Sequence, residues 1–187
     1  MKRGVLFIIS GPAGVGKGTL RKGLFTEMPD IVYSISYTTR DRRHGERDGL
    51  DYHFISKSGF EQLIKSGEFL EWAEVHGNYY GTRRSDIERV LNEGRDVLLE
   101  IDVQGWRQIK SQLPEAIGIF ITVPSLDHIE SRLEDRGTET QDQLDIRLRN
   151  AVMEMRHAHE YDHVIINDDL RRATDELVEL VKKYRVK

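Results

Sequence analysis

Residues Gly11, Pro12, Ala13, Gly14, Val15, Gly16, Lys17 and Gly18 form a glycine-rich run closed by a lysine. Glycines let successive backbone N–H groups converge on one anion, and an ammonium beside them adds a point charge, so the run suits nucleotide phosphates. It follows the apolar stretch VLFIIS (5–10) and precedes TLRKGLF, whose pattern is helical. Strand, glycine loop and helix in that order place the anion at a helix N-terminus. On this reading the loop and Thr19 hold the phosphates of a donor, and Lys17 reaches the β- and γ-phosphates.

A loop of this kind ordinarily has Ser or Thr after the lysine, where a hydroxyl meets magnesium, but this chain has Gly18. Thr19 is turned by about 100° from position 18 on a helix, so its hydroxyl points elsewhere. The carboxylates of LLEIDVQG, Glu100 and Asp102, are the alternative. They are expected to close a strand beside the loop and, two residues apart, to share one face.

A second reactive stretch, SISYTTRDRRHGERDGLDYHFIS (34–56), offers hydroxyls on Ser34, Ser36 and Tyr52 and guanidinium groups on Arg40 and Arg43. Arginine forks match a phosphate dianion bidentately, and an exposed charged hairpin has the same composition. Residue chemistry alone leaves these two readings open.

The elements that must position these groups come from periodicity. VLFIIS (5–10), VLLEI (97–101), IGIFITV (117–123) and HVIIN (163–167) are near-continuous apolar runs separated by helical patterns, which predicts a parallel sheet covered on both faces. A helix is expected from Thr140 to His159, with Leu144, Leu148, Ala151 and Met155 on one stripe and Thr140 and Gln143 forming a capping box. A final helix carries Leu177, Leu180 and Val181. Residues 34–82 break the alternation and read as an inserted lobe, with β-like pieces DYHFIS and FLEWAEV. Residues 125–160, rich in helix and arginine, read as a second, mobile lobe. Both are expected to face the carboxyl edge of the sheet, where ligands bind in open α/β folds.

The 187 residues suit one domain with inserted lobes. A hydrophobic fraction of 38% with 32% charged residues is a globular profile, and a net charge of −4 argues against nucleic acid bound through a broad basic surface. No cysteine is present, which removes thiolate metal sites and disulfides, and no apolar run reaches membrane-spanning length. The expected setting is cytoplasmic, away from membranes. The seven histidines show no paired metal spacing, Ser10 is in no nucleophile elbow, and Trp72 and Trp106 are expected to serve packing.

TTRDRRHGERDGLDYHFI resembles the signature of the guanylate kinase family, with Thr38, Thr39, Arg40, Arg43, Glu46, Gly49, Tyr52 and Phe54 in register. The resemblance continues through GEFLEWAEVHGNYYGT, LLEIDVQG, RLEDRGTET, RLRNA and VIINDDL, across essentially the whole chain. It implies a P-loop kinase with a parallel central sheet flanked by helices (core about 1–33, 83–124 and 161–187). It also implies an inserted mixed α/β GMP-binding lobe (about 34–82) and a helical lid (about 125–160). The implied reaction is transfer of the ATP γ-phosphoryl group to GMP, and to dGMP, with magnesium (Mg2+).

Carried over by position, Ser36, Arg40, Arg43, Tyr52 and Tyr80 bind the GMP phosphate, and Glu71 and Thr82 read guanine. A carboxylate accepts from guanine N1 and N2, and a hydroxyl can serve O6. Glu46 and Asp102 help hold the acceptor, Asp102 and Glu100 lie near the metal through water, and Asn167 contacts the donor near adenine. Arg132, Arg136 and Arg147 match lid arginines that act in catalysis with Lys17. The sequence departs from the family pattern at Arg42 and His44, where proline is expected, and at Glu100, where aspartate is expected. Gly18 departs too, in the manner of adenylate kinases, whose loop also reads Gly-Lys-Gly-Thr. Two other readings use the same scaffold: a phosphopeptide-binding domain, and a kinase for AMP or a sugar phosphate.

Overall fold

The structure is a computed structural model that describes residues 2–75, 77–134 and 141–185, with backbone alone at 132–134 and 141–143. Its central sheet has the order β2-β7-β1-β8-β9, from β1 (Leu6–Ser10), β2 (Val32–Tyr33), β7 (Val97–Glu100), β8 (Ile117–Thr122) and β9 (His163–Ile166), all parallel. Alternate residues of β1 serve opposite faces, as strand geometry requires. Phe7 and Ile9 pack with Leu20 and Leu24 of α1 (Lys17–Glu27) and with Leu177 and Val181 of α7 (Leu170–Arg185). Leu6 and Ile8 pack with Ile87 and Leu91 of α3 (Arg84–Asn92) and with Trp106 and Ile109 of α4 (Val103–Gln112). Both faces are thus covered, which accounts for the unbroken apolar strands.

Trp106 is buried beneath the sheet, stacked on Tyr161 at 5.0 Å, and its indole N–H donates to the Glu160 carbonyl at 3.1 Å. Gly118 makes room for it, since a Cβ there would approach the indole to 2.5 Å. Trp72 differs from the packing role expected of it: it is 37% exposed and meets Tyr79 edge-on. The edge strand β2 carries only two residues, too few for a periodic signal.

Residues 37–83 build a separate sheet in the order β4-β3-β6-β5, from β3 (Tyr37–Thr38), β4 (His53–Phe54), β5 (Phe69–Val75) and β6 (Asn78–Arg83), with α2 (Lys57–Lys65) across it. Phe60 of α2 lies between Phe69 at 4.3 Å and Tyr79 at 5.3 Å. This sheet is tied to the core through amide side chains on α4. Gln108 accepts from the Trp72 N–H and donates to the Trp72 carbonyl, and Gln112 donates to the Leu70 carbonyl.

Beyond β8 lie α5 (Leu126–Glu134) and α6 (Gln141–Met155), followed by a short 3-10 turn at Ala158–Glu160. The predicted stripe of α6 faces the core: Leu144 and Ala151 are buried there, with Leu148 and Met155 beside them. The helix ends earlier than the predicted His159, and Thr140, with its expected capping box, lies outside the described residues. Among the described residues no helix is long and apolar enough to cross a membrane.

Candidate active site

The glycine loop joins β1 to α1, and its conformation explains its composition. Gly11, Gly14 and Gly16 have φ of 143°, 85° and 92°, in the region that disfavours side chains. At Gly11 a Cβ would also stand 2.1 Å from the Ile121 carbonyl oxygen. Gly16 is the N-cap of α1, so the first N–H groups of that helix open toward the loop. Lys17 is folded back on its own loop, donating to the carbonyls of Gly11 and Pro12. Asn167 is 2% exposed, and its amide donates to the Val15 carbonyl at 2.7 Å, fastening the loop from the end of β9. Thr19 is exposed, and a Cβ at Gly18 would meet nothing within 4 Å.

A cavity of about 350 Å³ is lined by Ser36, Arg40, Arg43, Tyr52, Ala73, Val75, Tyr80, Gly81 and, toward the core, Glu71, Glu100, Ile101 and Asp102. The structure therefore brings together the residues expected to bind an acceptor phosphate. Glu46 stands behind them: it accepts from both arms of the Arg40 guanidinium at 3.1 and 2.8 Å and from the Arg43 N–H at 2.8 Å. Arg40 also lies over the Tyr52 ring at 5.4 Å. Arg40 holds the Glu46 carboxyl below its ordinary range, and burial pushes the Tyr52 hydroxyl up. Ser34, which sequence placed with this group, lines a different cavity of about 290 Å³, with Tyr33, Tyr37, His53 and Asp86.

At the inner end, Glu71 is 6% exposed and accepts a 2.6 Å hydrogen bond from the Thr82 hydroxyl. Burial pushes its pKa up to about 7, against the Thr82 bond, with Asp102 adding to the rise. Thr82 itself is 1% exposed. A hydroxyl has one proton, and here Glu71 receives it, so Thr82 is placed to orient the carboxylate rather than to face the cavity. Gly105 makes that placement possible, because a Cβ there would come within 2.9 Å of Glu71 Oε2. No sequence signal distinguished this glycine from an ordinary helix residue.

The acidic pair differs from expectation. β7 ends at Glu100, and Asp102 is the N-cap of α4, its Oδ1 accepting the Gly105 N–H at 2.8 Å. The two carboxylates therefore do not share a strand face, although both border the cavity. Glu100 pairs with Arg21 at 3.7 Å. Carboxylate oxygens suit magnesium, yet among the described residues no group of three acidic or histidine side chains could hold an ion unaided. This donor set fits a hydrated ion that draws most of its ligands from phosphate oxygens and water. Arg132 lies on α5 and Arg147 is exposed on α6, while Arg136 falls outside the described residues.

The sequence model described as guanylate kinase matches residues 3–184. A guanylate kinase of Oceanobacillus iheyensis is 50% identical over 186 residues, covering 100% of this chain and 90% of that protein. One of Aromatoleum aromaticum is 50% identical over 184 residues, covering 98% and 90%. The crystal structure of guanylate kinase from Anaplasma phagocytophilum superimposes with a TM-score of 0.77 at 32% identity, covering 100% of this chain and 88% of that one. Phosphate loop, acceptor cavity and whole-length similarity converge: the chain belongs to the guanylate kinase family.

Proposed function

We propose that the chain transfers the γ-phosphoryl group of ATP to GMP, giving ADP and GDP, and accepts dGMP by the same contacts. The observation that carries this reading is a buried carboxylate, Glu71, at the inner end of a cavity whose outer part holds Arg40, Arg43, Tyr52 and Tyr80. Guanine presents two N–H donors on one edge, and a carboxylate accepts both. AMP offers no such edge and would leave the carboxylate unpaired in a buried site, a large penalty.

Phosphoryl transfer needs alignment and charge neutralisation more than covalent chemistry from the protein. Arg40, braced by Glu46, and Arg43 hold the acceptor phosphate, leaving one of its oxygens directed at the donor. The glycine loop and Lys17 hold the donor phosphates, and Arg132, Arg136 and Arg147 are assigned to the charge that develops between them. Magnesium would supply further neutralisation of that charge when carried in with ATP, beside Asp102 and Glu100. Asn167 keeps the loop in shape below the donor's adenine. The lobes at about 34–82 and 125–160 exclude water by closing on the core at about 1–33, 83–124 and 161–187. A cytoplasmic setting goes with these substrates.

A coupled phosphotransfer assay with ATP and magnesium across GMP, dGMP, AMP, CMP and UMP tests the reading. GMP is expected to be the best acceptor; AMP turned over as well or better would overturn it.

A further inference from the structure

The backbone passes between the core and the acceptor lobe twice: at residues 34–36, which lead from β2 into β3, and at Arg83 and Arg84, where β6 runs directly into α3. A side-chain hydrogen bond bridges these crossings. Tyr37, the first residue of β3, donates its hydroxyl to Asp86 Oδ2 in the first turn of α3 at 3.1 Å. Each end of that bond is fixed to its own unit. The Tyr37 ring stacks on His53 at 4.6 Å and meets Phe69 edge-on at 6.2 Å, and its backbone pairs with His53 and Gly81. Asp86 stands on a helix whose Ile87, Val90 and Leu91 are buried in the core.

Tyr37 and Asp86 also line the cavity of about 290 Å³ together, with Tyr33 and Val97 from the core and His53 from the lobe. Lobe and core are thus separated by open volume here, and a hydrogen bond across it has leverage over their relative angle. The neighbouring Ser36 lines the acceptor cavity, whose walls come from the lobe at Arg40, Arg43 and Tyr80 and from the core at Glu100 and Asp102. Its width therefore follows the same angle. We propose that Tyr37 and Asp86 are positioning residues that hold the acceptor lobe at the angle in which both walls grip one nucleoside monophosphate. This rests on the reading of that cavity as the GMP site.

The test uses the full chain with Tyr37→Phe, which removes the hydroxyl and keeps the stacked ring. Calorimetry should show GMP binding weaker by roughly threefold to tenfold, with ATP affinity unchanged, because the binding angle becomes one of several that the lobe samples. At saturating GMP, kcat should stay within about twofold of wild type, since bound GMP restores the angle. Asp86→Ala breaks the same bond from the core side, and it carries the test if the phenylalanine form does not fold. The two changes combined should be no worse than either alone. Asp86→Asn keeps an acceptor oxygen and should bind GMP nearly as wild type does, a rescue that a role for the charge would not produce. The chain has no cysteine, so spin labels on Gln62→Cys of α2 and Glu179→Cys of α7, both exposed, report the distance from lobe to core. Without GMP that distance should spread over a wider range in Tyr37→Phe, and GMP should narrow it again. GMP binding within about twofold of wild type or tighter in Tyr37→Phe and Asp86→Ala, or an unchanged spread of distances, would overturn the proposal. Failure of the wild type to bind GMP would instead remove the reading of the cavity, and the distances alone would then decide whether the bond sets the angle.

Discussion

The two sheets are held together by different physics. In the five-stranded sheet Phe7, Ile8, Leu98, Ile119 and Phe120 are at most 1% exposed, and stability comes from apolar surface removed from water on both faces. In the four-stranded sheet two strands have two residues each, and local devices do the work: Thr38 Oγ1 donates to the Tyr79 carbonyl, Thr39 Oγ1 accepts from the Tyr79 N–H, and aromatic rings stack on Phe60. The side proposed to hold the donor thus rests on a packed core, while the side proposed to hold the acceptor is assembled from individual local contacts. Substitutions in the first should cost stability, and substitutions in the second should change which nucleotide is accepted.

The sharpest break of that contrast is Phe120→Ala. Emptying a fully buried site in the core sheet should cost about 3–5 kcal/mol and lower Tm by about 10 °C, with KM for GMP unchanged in the protein that remains folded. A large rise in that KM would mean the two sheets are not separable.

Glu71→Gln should act in the opposite sense. An amide cannot accept both guanine donors, so kcat/KM for GMP should fall by on the order of 2 kcal/mol or more. An unchanged preference for GMP over IMP, which lacks the exocyclic amine, would remove Glu71 from the reader role. The carboxyl pKa is raised from 4.5 to about 7 in the fold, so its favourable contribution is complete below 4.5 and lost as pH rises to about 7. At pH 8 the glutamine variant should therefore be more stable than wild type by on the order of 2–3 kcal/mol, an advantage that vanishes near pH 4.5 and is read from melting curves. For the same reason wild-type kcat/KM for GMP should drop by about tenfold per unit below pH 7, and a flat profile to pH 6 would argue that another group accepts the base.

Gly105→Ala gives a smaller effect. The new Cβ would meet Glu71 Oε2 at 2.9 Å, so KM for GMP should rise by roughly several-fold, although alanine is the better helix residue. Smallest is Gly18→Ser. The position is open, and a hydroxyl there should lower the magnesium concentration needed for half-maximal rate by about twofold at fixed ATP. An unchanged requirement would mean that the new hydroxyl does not reach the ion.

The long buried strands and the glycine loop were legible because each is a run with one dominant period or composition. Val32–Tyr33 and the paired Tyr37–Thr38 and His53–Phe54 were not, because two residues carry no period and their pairing is decided by partners far along the chain. The acceptor residues could be named through a long resemblance, but their division of labour could not. That Thr82 turns its hydroxyl to Glu71 and that Asp102 caps a helix instead of ending a strand both depend on how elements dock. Trp72 and Trp106 make the same point: both were expected to serve packing, yet one is 37% exposed and the other 1%.

The hydrogen bond from Asn167 to Val15 spans 152 positions of chain. During synthesis the phosphate loop emerges 152 residues before the asparagine that fastens it. A nascent chain halted at residue 160 has the glycines and Lys17 but neither Asn167 nor the strand that carries it, so the loop must wait in an unfastened form. Nucleotide capture therefore waits for a residue made long after the loop itself, and stalled chains immobilised on ribosomes should acquire affinity for ATP only after residue 167 has cleared the exit tunnel.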